Sequence, residues 1–199
     1  MLLKDRVILI TNVEKFAGHG TTEVALAQGA TVVAHDPAFE GPTARHKYES
    51  RFPGAHALSA IEPATMIELA LRRHGRIDAL VNNDAFPALR APLGEARLED
   101  YRTALEVMAV QPFRLVQLVA PSMRRRKSGR IVFVSSAAPF RGIANYAPYV
   151  SARAAANGLV SSLAKELGRD GITVNAVGSN YVENPDYFPP ALLANKDAM

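Results

Sequence analysis

Ser136, Tyr149 and Arg153 are the residues whose types and spacing could do chemistry, in the segment SSAAPFRGIANYAPYVSAR. Ser136 ends a β-branched run, and Tyr149 and Arg153 are four apart, so on a helix they share one face. A guanidinium beside a phenol favours the phenolate, which makes a phenol usable as a general base near neutral pH. A serine hydroxyl in front of that phenol can hold a substrate oxygen and direct its proton toward the base. Any one of these residues is unremarkable by itself. A Tyr and an Arg at helical spacing are usually a solvated pair, and a serine after a strand is often a turn residue.

The elements that must position them read as alternating strands and helices. Strand-length apolar runs lie at Val7–Thr11, Thr31–His35, Ile77–Asn82, Arg130–Ser135 and Ile172–Val177, with a further short run at His56–Ser59. Between them, Thr21–Gln28, Met66–Arg73, Leu98–Arg125 and Tyr149–Leu167 have helical period. Continuously apolar strands separated by helices predict a parallel sheet covered on both faces, a doubly wound, Rossmann-like α/β fold. In such a sheet a side chain just past a strand's carboxyl end lies in the ligand crevice, which is where Ser136 falls.

The first strand–helix turn of this fold usually cradles a pyrophosphate. Here it reads Thr11-Asn12-Val13-Glu14-Lys15-Phe16-Ala17-Gly18-His19-Gly20. Only the last two glycines of a dinucleotide fingerprint remain, and helix–strand packing alone would account for them. Asn12 stands where a glycine would make the tight turn, Phe16 fills space a cofactor needs, and Glu14 brings negative charge to a would-be phosphate. Asp36, after the second strand, could hold a ribose, as could any acidic turn residue.

Composition excludes several classes. The chain has 199 residues, 48% of them apolar and 21% charged, so it is neither disordered nor fibrous. It has no cysteine, hence no disulfide scaffold, thiolate metal site or cysteine nucleophile. Five scattered histidines show no metal-ligand spacing, so no metal is assigned. A net charge of +4, from 23 basic and 19 acidic residues, is too weak to argue for nucleic acid. No signal segment or membrane span is evident, and the expectation is a cytoplasmic protein. The basic run Arg124–Lys127 reads as the solvated end of a long helix.

With those residues in hand, the chain resembles the short-chain dehydrogenase/reductase superfamily, whose pattern is a Ser followed by Tyr-x-x-x-Lys. Arg153 replaces the Lys, Met108 stands where the proton-relay Asn would lie, and Asn12 replaces a glycine. TNVEKFAGHG, VNNDAF, SSAAPF, YVSAR and GSNY are in the order and spacing of the halohydrin (haloalcohol) dehalogenases, a cofactor-free branch, from residue 7 to about 190. The resemblance implies that Ser136, Tyr149 and Arg153 convert vicinal haloalcohols to epoxides with release of halide and a proton. It also implies epoxide opening by small anions such as azide, cyanide or nitrite. A halide pocket is implied at Phe16, Ser179, Asn180, Tyr181 and Val182, with Ser179 departing from the proline better known there. Phe86, Ala138, Ile143, Tyr187 and Phe188 would line the substrate pocket, and no cofactor would bind. Asp84 is expected in a hydrogen-bonding role at least as much as a catalytic one.

The same resemblance implies a homotetramer packed through residues 98–125 and 149–167. The superfamily sheet has a seventh strand, so the expectation from the resemblance is a single domain truncated at its C-terminus. The residues leave two other readings open: an NAD(P)-dependent dehydrogenase/reductase acting on a small alcohol or ketone, and a non-catalytic binding or assembly subunit.

Overall fold

The computed structural model describes residues 1–59 and 62–179. Six parallel strands form one sheet: β1 (Val7–Ile10), β2 (Thr31–His35), β3 (Ala55–Leu58), β4 (Ala79–Asn82), β5 (Gly129–Ser136) and β6 (Ile172–Ser179). Their order is β3-β2-β1-β4-β5-β6, so the winding reverses between β1 and β4. That reversal opens a crevice at the carboxyl ends of the strands.

The helices are α1 (Gly18–Ala27), α2 (Pro42–Arg51), α3 (Pro63–His74), α4 (Leu98–Leu105), α5 (Gln111–Arg126) and α6 (Ala147–Gly168). The β-branched strands alternate between two buried layers. Val7, Leu9, Leu80, Ile131 and Phe133 pack with α3, α5 and α6. Ile8, Ile10, Val32, Ala34 and Val81 face the other way, against Ala25 of α1 and Tyr48 of α2. At β1 and β2 both faces are apolar because both are covered, which is why those strands read as unbroken runs rather than as alternation. Among the described residues, exposed or half-buried positions alternate with buried ones along β5 and the start of β6.

Two elements differ from the sequence-based expectation. Helix α2 has no helical apolar period, since within PTARHKYESR only Tyr48 is fully buried. Its place in the fold comes from Tyr48, whose hydroxyl meets Thr22 Oγ1 of α1 at 2.7 Å and whose ring packs on Phe39 and Phe52. The long helix expected at 98–125 is broken by a π-helical turn at Glu106–Val110, where the Gln111 N–H donates to Glu106 O, five residues back. Pro112 explains it. Proline has no N–H for the carbonyl four residues earlier and its ring would clash with that carbonyl, so the ladder slips. The slip carries Met108, 1% exposed, against Ala152 and Tyr149 of α6.

Candidate active site

Ser136, Tyr149 and Arg153 converge at the carboxyl end of β5. Ser136 is the last residue of that strand, and its Oγ accepts the Ala138 N–H at 3.1 Å. The hydroxyl keeps its own proton to donate. Ala138, expected in the substrate pocket, is thereby joined to Ser136 and is itself buried. Tyr149 lies in the first turn of α6 and, like Phe86, Leu105 and Val107, packs against the buried cluster of Ala104, Met108 and Ala152. Phe86 and Tyr149 line one small cavity with Leu89 and Pro148, and Ile143 is 38% exposed.

Arg153 lies one helical turn beyond Tyr149, and only 2% of it is exposed. Its Nη1 donates to Val134 O at 2.8 Å and to Asp84 O at 3.2 Å, and its Cζ stands 5.6 Å from the Tyr149 ring centroid. A buried guanidinium fixed by two strand-end carbonyls cannot leave the ring as a solvated arginine would. The pair is therefore not the solvated surface pair that the spacing alone would also allow.

Asn157 was not visible as a site residue, although it continues the same face at one further turn. Its Oδ1 accepts the Ser135 hydroxyl at 2.6 Å and its Nδ2 donates to Ser136 O at 3.4 Å, fastening α6 to the strand end that carries the serine. The four-residue repeat Tyr149, Arg153, Asn157 was the available signal.

Asp84 has the hydrogen-bonding place expected of it. Its Oδ1 accepts from Asn12 Nδ2 and its carbonyl accepts from Arg153. The nearby Thr11 hydroxyl is directed at Val81 O, and Oδ2 is buried with no hydrogen-bond partner of good geometry among the described residues. Burial pushes this carboxyl up to about 6, against the opposing pull of Thr11, Arg153 and Asn12. It borders a cavity of about 260 Å³ with Thr11, Asn12, Gln111 and His35. Burial pushes His35 down to about 4, and neither of its ring nitrogens has a partner among the described residues.

The β1–α1 turn does not fit a dinucleotide. Asp36, the would-be ribose ligand, has both oxygens engaged by the chain's own backbone. Its Oδ2 accepts the Glu14 N–H and its Oδ1 the Ala38 N–H, both at 2.9 Å. Phe16 holds φ at 45°, a conformation a bulky L-residue rarely adopts, and lines an open apolar cleft with Ile8, Val24, Val81 and Val132. Glu14 stays at the turn, paired with His19 Nε2 at 2.8 Å. Packing explains only one of the two glycines. A Cβ on Gly18 would stand 2.3 Å from Val13 O, whereas one on Gly20 meets nothing within 4 Å.

Ser179 ends β6 directly opposite Ser136, and its carbonyl accepts the Ala137 N–H at 3.0 Å. The first residue of the expected halide loop is therefore held beside Ser136. Asn180, Tyr181, Val182, Tyr187 and Phe188 lie outside the described residues, as does the chain beyond Ser179 on which the expected truncation bears.

This sheet order, with a Ser and a Tyr at the switch-point crevice, defines a class, and the chain belongs to it: a family model for short chain dehydrogenase matches residues 6–188, so the protein is a member of the short-chain dehydrogenase family. Among curated proteins it is 31% identical to the 3-oxoacyl-[acyl-carrier-protein] reductase of Thermotoga maritima, over 93% of this chain and 77% of that one. It is 32% identical to the sorbitol-6-phosphate 2-dehydrogenase of Klebsiella pneumoniae, over 94% and 73%. The more particular likeness is to dehalogenases. A solved dehalogenation enzyme is 87% identical, superposes with a TM-score of 0.94, and is matched over all of this chain and 82% of its own. A halohydrin dehalogenase solved with ethyl (2S)-oxiran-2-ylacetate is 35% identical, with a TM-score of 0.89 over 94% and 79%.

Proposed function

We infer that the protein is a halohydrin dehalogenase that converts vicinal haloalcohols to epoxides without a nucleotide. The observation that carries the reading is the buried Arg153, locked on Val134 O and Asp84 O with its charge beside the Tyr149 ring. Ser136 donates to the substrate hydroxyl and directs its proton to Tyr149. Arg153 holds positive charge where negative charge must develop on the phenol oxygen. As the proton leaves, the hydroxyl oxygen attacks the neighbouring carbon from behind. The new C–O bond closes the epoxide, the C–halogen bond breaks, and the bonding pair leaves with the halide. Both reacting atoms belong to one molecule, so the enzyme supplies orientation and charge rather than a nucleophile.

Phe16, Ser179, Asn180, Tyr181 and Val182 are the proposed halide pocket, with Phe86, Ala138, Ile143, Tyr187 and Phe188 around the organic part. Small anions such as azide, cyanide or nitrite run the reaction backwards, opening the epoxide. Support comes from the likeness to the two dehalogenase structures, one of them holding an epoxide, and from a β1–α1 turn that does not fit a dinucleotide. Among the described residues no helix is long and apolar enough to cross a membrane. We read the protein as a cytoplasmic homotetramer. Exposed Leu98, Val110 and Phe113 on the long helix offer an apolar surface for assembly, and light scattering at four times the chain mass would bear this out.

The test is direct. Purified protein is incubated with 1,3-dichloro-2-propanol and no nucleotide, and chloride and acid are followed. Release by the native protein, lost in Tyr149→Phe, is the expected result. No release, or NADH-dependent reduction of a small ketone instead, would replace this reading with the dehydrogenase one.

A further inference from the structure

We propose that the cavity between the carboxyl ends of β1 and β2 and helices α3 and α5 is a second binding site, which takes a small flat organic cation bearing N–H donors, such as an amidinium. The site is independent of the dehalogenase reading. The fold buries polar atoms there without partners, which native structures rarely do. His35, the last residue of β2, is 6% exposed, and neither of its ring nitrogens has a partner among the described residues. Asp84 Oδ2 is likewise buried and unpartnered, while Oδ1 accepts from Asn12. Both residues line one cavity of about 260 Å³. A water takes about 30 Å³ of liquid volume, so the space suits a small organic molecule better than one bridging water.

The other walls set the shape and the sign of the guest. Met66 of α3 and Leu115 of α5, 2% and 3% exposed, supply apolar surface for a flat body. The π-helical turn at Glu106–Val110 adds Val107, and Gln111 follows it. Such turns are frequent at functional sites. Gln111 Nε2 donates to Glu106 Oε1 at 2.6 Å, so its amide oxygen remains for a donor. The exposed Glu62 carboxylate stands at the rim. Buried His35, down to about 4, is neutral at pH 7.5 and offers an acceptor nitrogen, and the Asp84 carboxyl, at about 6, is then mostly ionised. Arg153 directs Nη1 to the carbonyls of Val134 and Asp84 rather than to that carboxylate. The polar lining is therefore rich in acceptors and carries negative charge. An amidinium presents two parallel N–H groups, which match a carboxylate as a guanidinium fork does. A phosphate-bearing ligand would instead meet Glu62 and Asp84 as like charges.

The experiment titrates the protein at pH 7.5 with benzamidine, an aromatic amidinium, and with benzamide, its neutral counterpart. Calorimetry gives the affinity, and methyl and amide NMR signals give the place. Expected is saturable benzamidine binding with a Kd on the order of 1 mM or tighter, within reach of about nine non-hydrogen atoms. Signals of Met66, Val107, Gln111 and His35 should shift most. Benzamide should bind at least about ten-fold more weakly, the usual worth of a charge-assisted hydrogen bond. Asp84→Asn should lose at least about ten-fold in benzamidine affinity for the same reason, and Val107→Phe, which fills the cavity, should abolish saturation. Melting curves show whether each variant is folded; if Val107→Phe is not, Asp84→Asn decides alone. The proposal is overturned if benzamidine does not saturate, if benzamide binds as tightly, or if Asp84→Asn binds within two-fold of native. Shifts centred elsewhere on the molecule also overturn it. Adenosine monophosphate that binds more tightly than benzamidine and displaces it would replace the cation with a nucleotide and overturn it as well.

Discussion

Arg153 and Lys carry the same charge, yet the site asks for more than charge. Its Nη1 reaches two carbonyls on different strand ends while the guanidinium plane lies near the tyrosine ring. An ammonium on a flexible stem has no plane to lay near the ring. Arg153→Lys is expected to lower kcat/KM by about 10²-fold or more, in the range typical of a lost acid–base contribution, with little change in thermal midpoint; steady-state halide release and a melting curve check both. Gly18 and Gly20 form a matched pair at the same scale. Gly18→Ala puts a Cβ against Val13 O and should cost a few kcal/mol, since backbone on both sides must move. Gly20→Ala meets nothing and should be neutral or stabilising by up to ~1 kcal/mol, the usual helix gain over glycine. Urea melts of the two variants would separate them.

At the scale of elements, His35 at the end of β2 and Asp84 beyond β4 border one cavity and titrate in opposition. His35 is held neutral, down to about 4 from 6.5, so the folded chain binds fewer protons than the unfolded one and loses stability as pH falls through that window. Asp84 is raised from 3.8 to about 6, so the folded chain binds more protons there and gains stability over nearly the same fall. In the native protein the two slopes largely offset. Asp84→Asn should be more stable than native by about 2–3 kcal/mol at pH 7.5, an advantage that fades by pH 4, and its acid loss should be steeper. His35→Asn should show the reverse slope. Thermal midpoints taken from pH 4 to 7.5 would reveal either trend, and parallel curves for all three proteins would refute the assignment.

Over the whole molecule, the two ends of the sheet have separate duties. The carboxyl ends carry the site, and the amino ends carry a latch of buried charge. Asp78, 7% exposed, accepts the Val7 N–H at 2.9 Å and pairs with Arg76, tying β1 to the start of β4. Asp78→Ala leaves those donors without a partner and should cost about 2–3 kcal/mol, while halide release per folded molecule is unchanged. A parallel fall in both would contradict that separation. The basic run at the end of α5 has a comparable structural role: Arg124 and Lys127 converge on Asp170, whose carboxyl their hydrogen bonds and charges, Lys127's first, hold below its usual range.

The sequence alone determined the sheet, because strands buried on both faces must be continuously apolar, and no other arrangement hides such runs. It also carried the pairing of Tyr149 with Arg153, since four-residue spacing on a helix is a local geometric fact. What it left open were matters of mutual position. Helix α2 has no apolar period and depends on one tyrosine meeting Thr22 across the fold. The π turn needed Pro112 to act inside a helix whose pattern looked unbroken. Asn83, Asp84 and Asn157 are ordinary polar residues in one dimension. Only tertiary structure brings the Asn83 amide to residues 66–71 positions earlier, where it bonds the carbonyls of Lys15 and Asn12 and the N–H of Ala17. Hydrogen bonds of that span depend on the packing of β1 against β4 and leave no periodic trace in the chain.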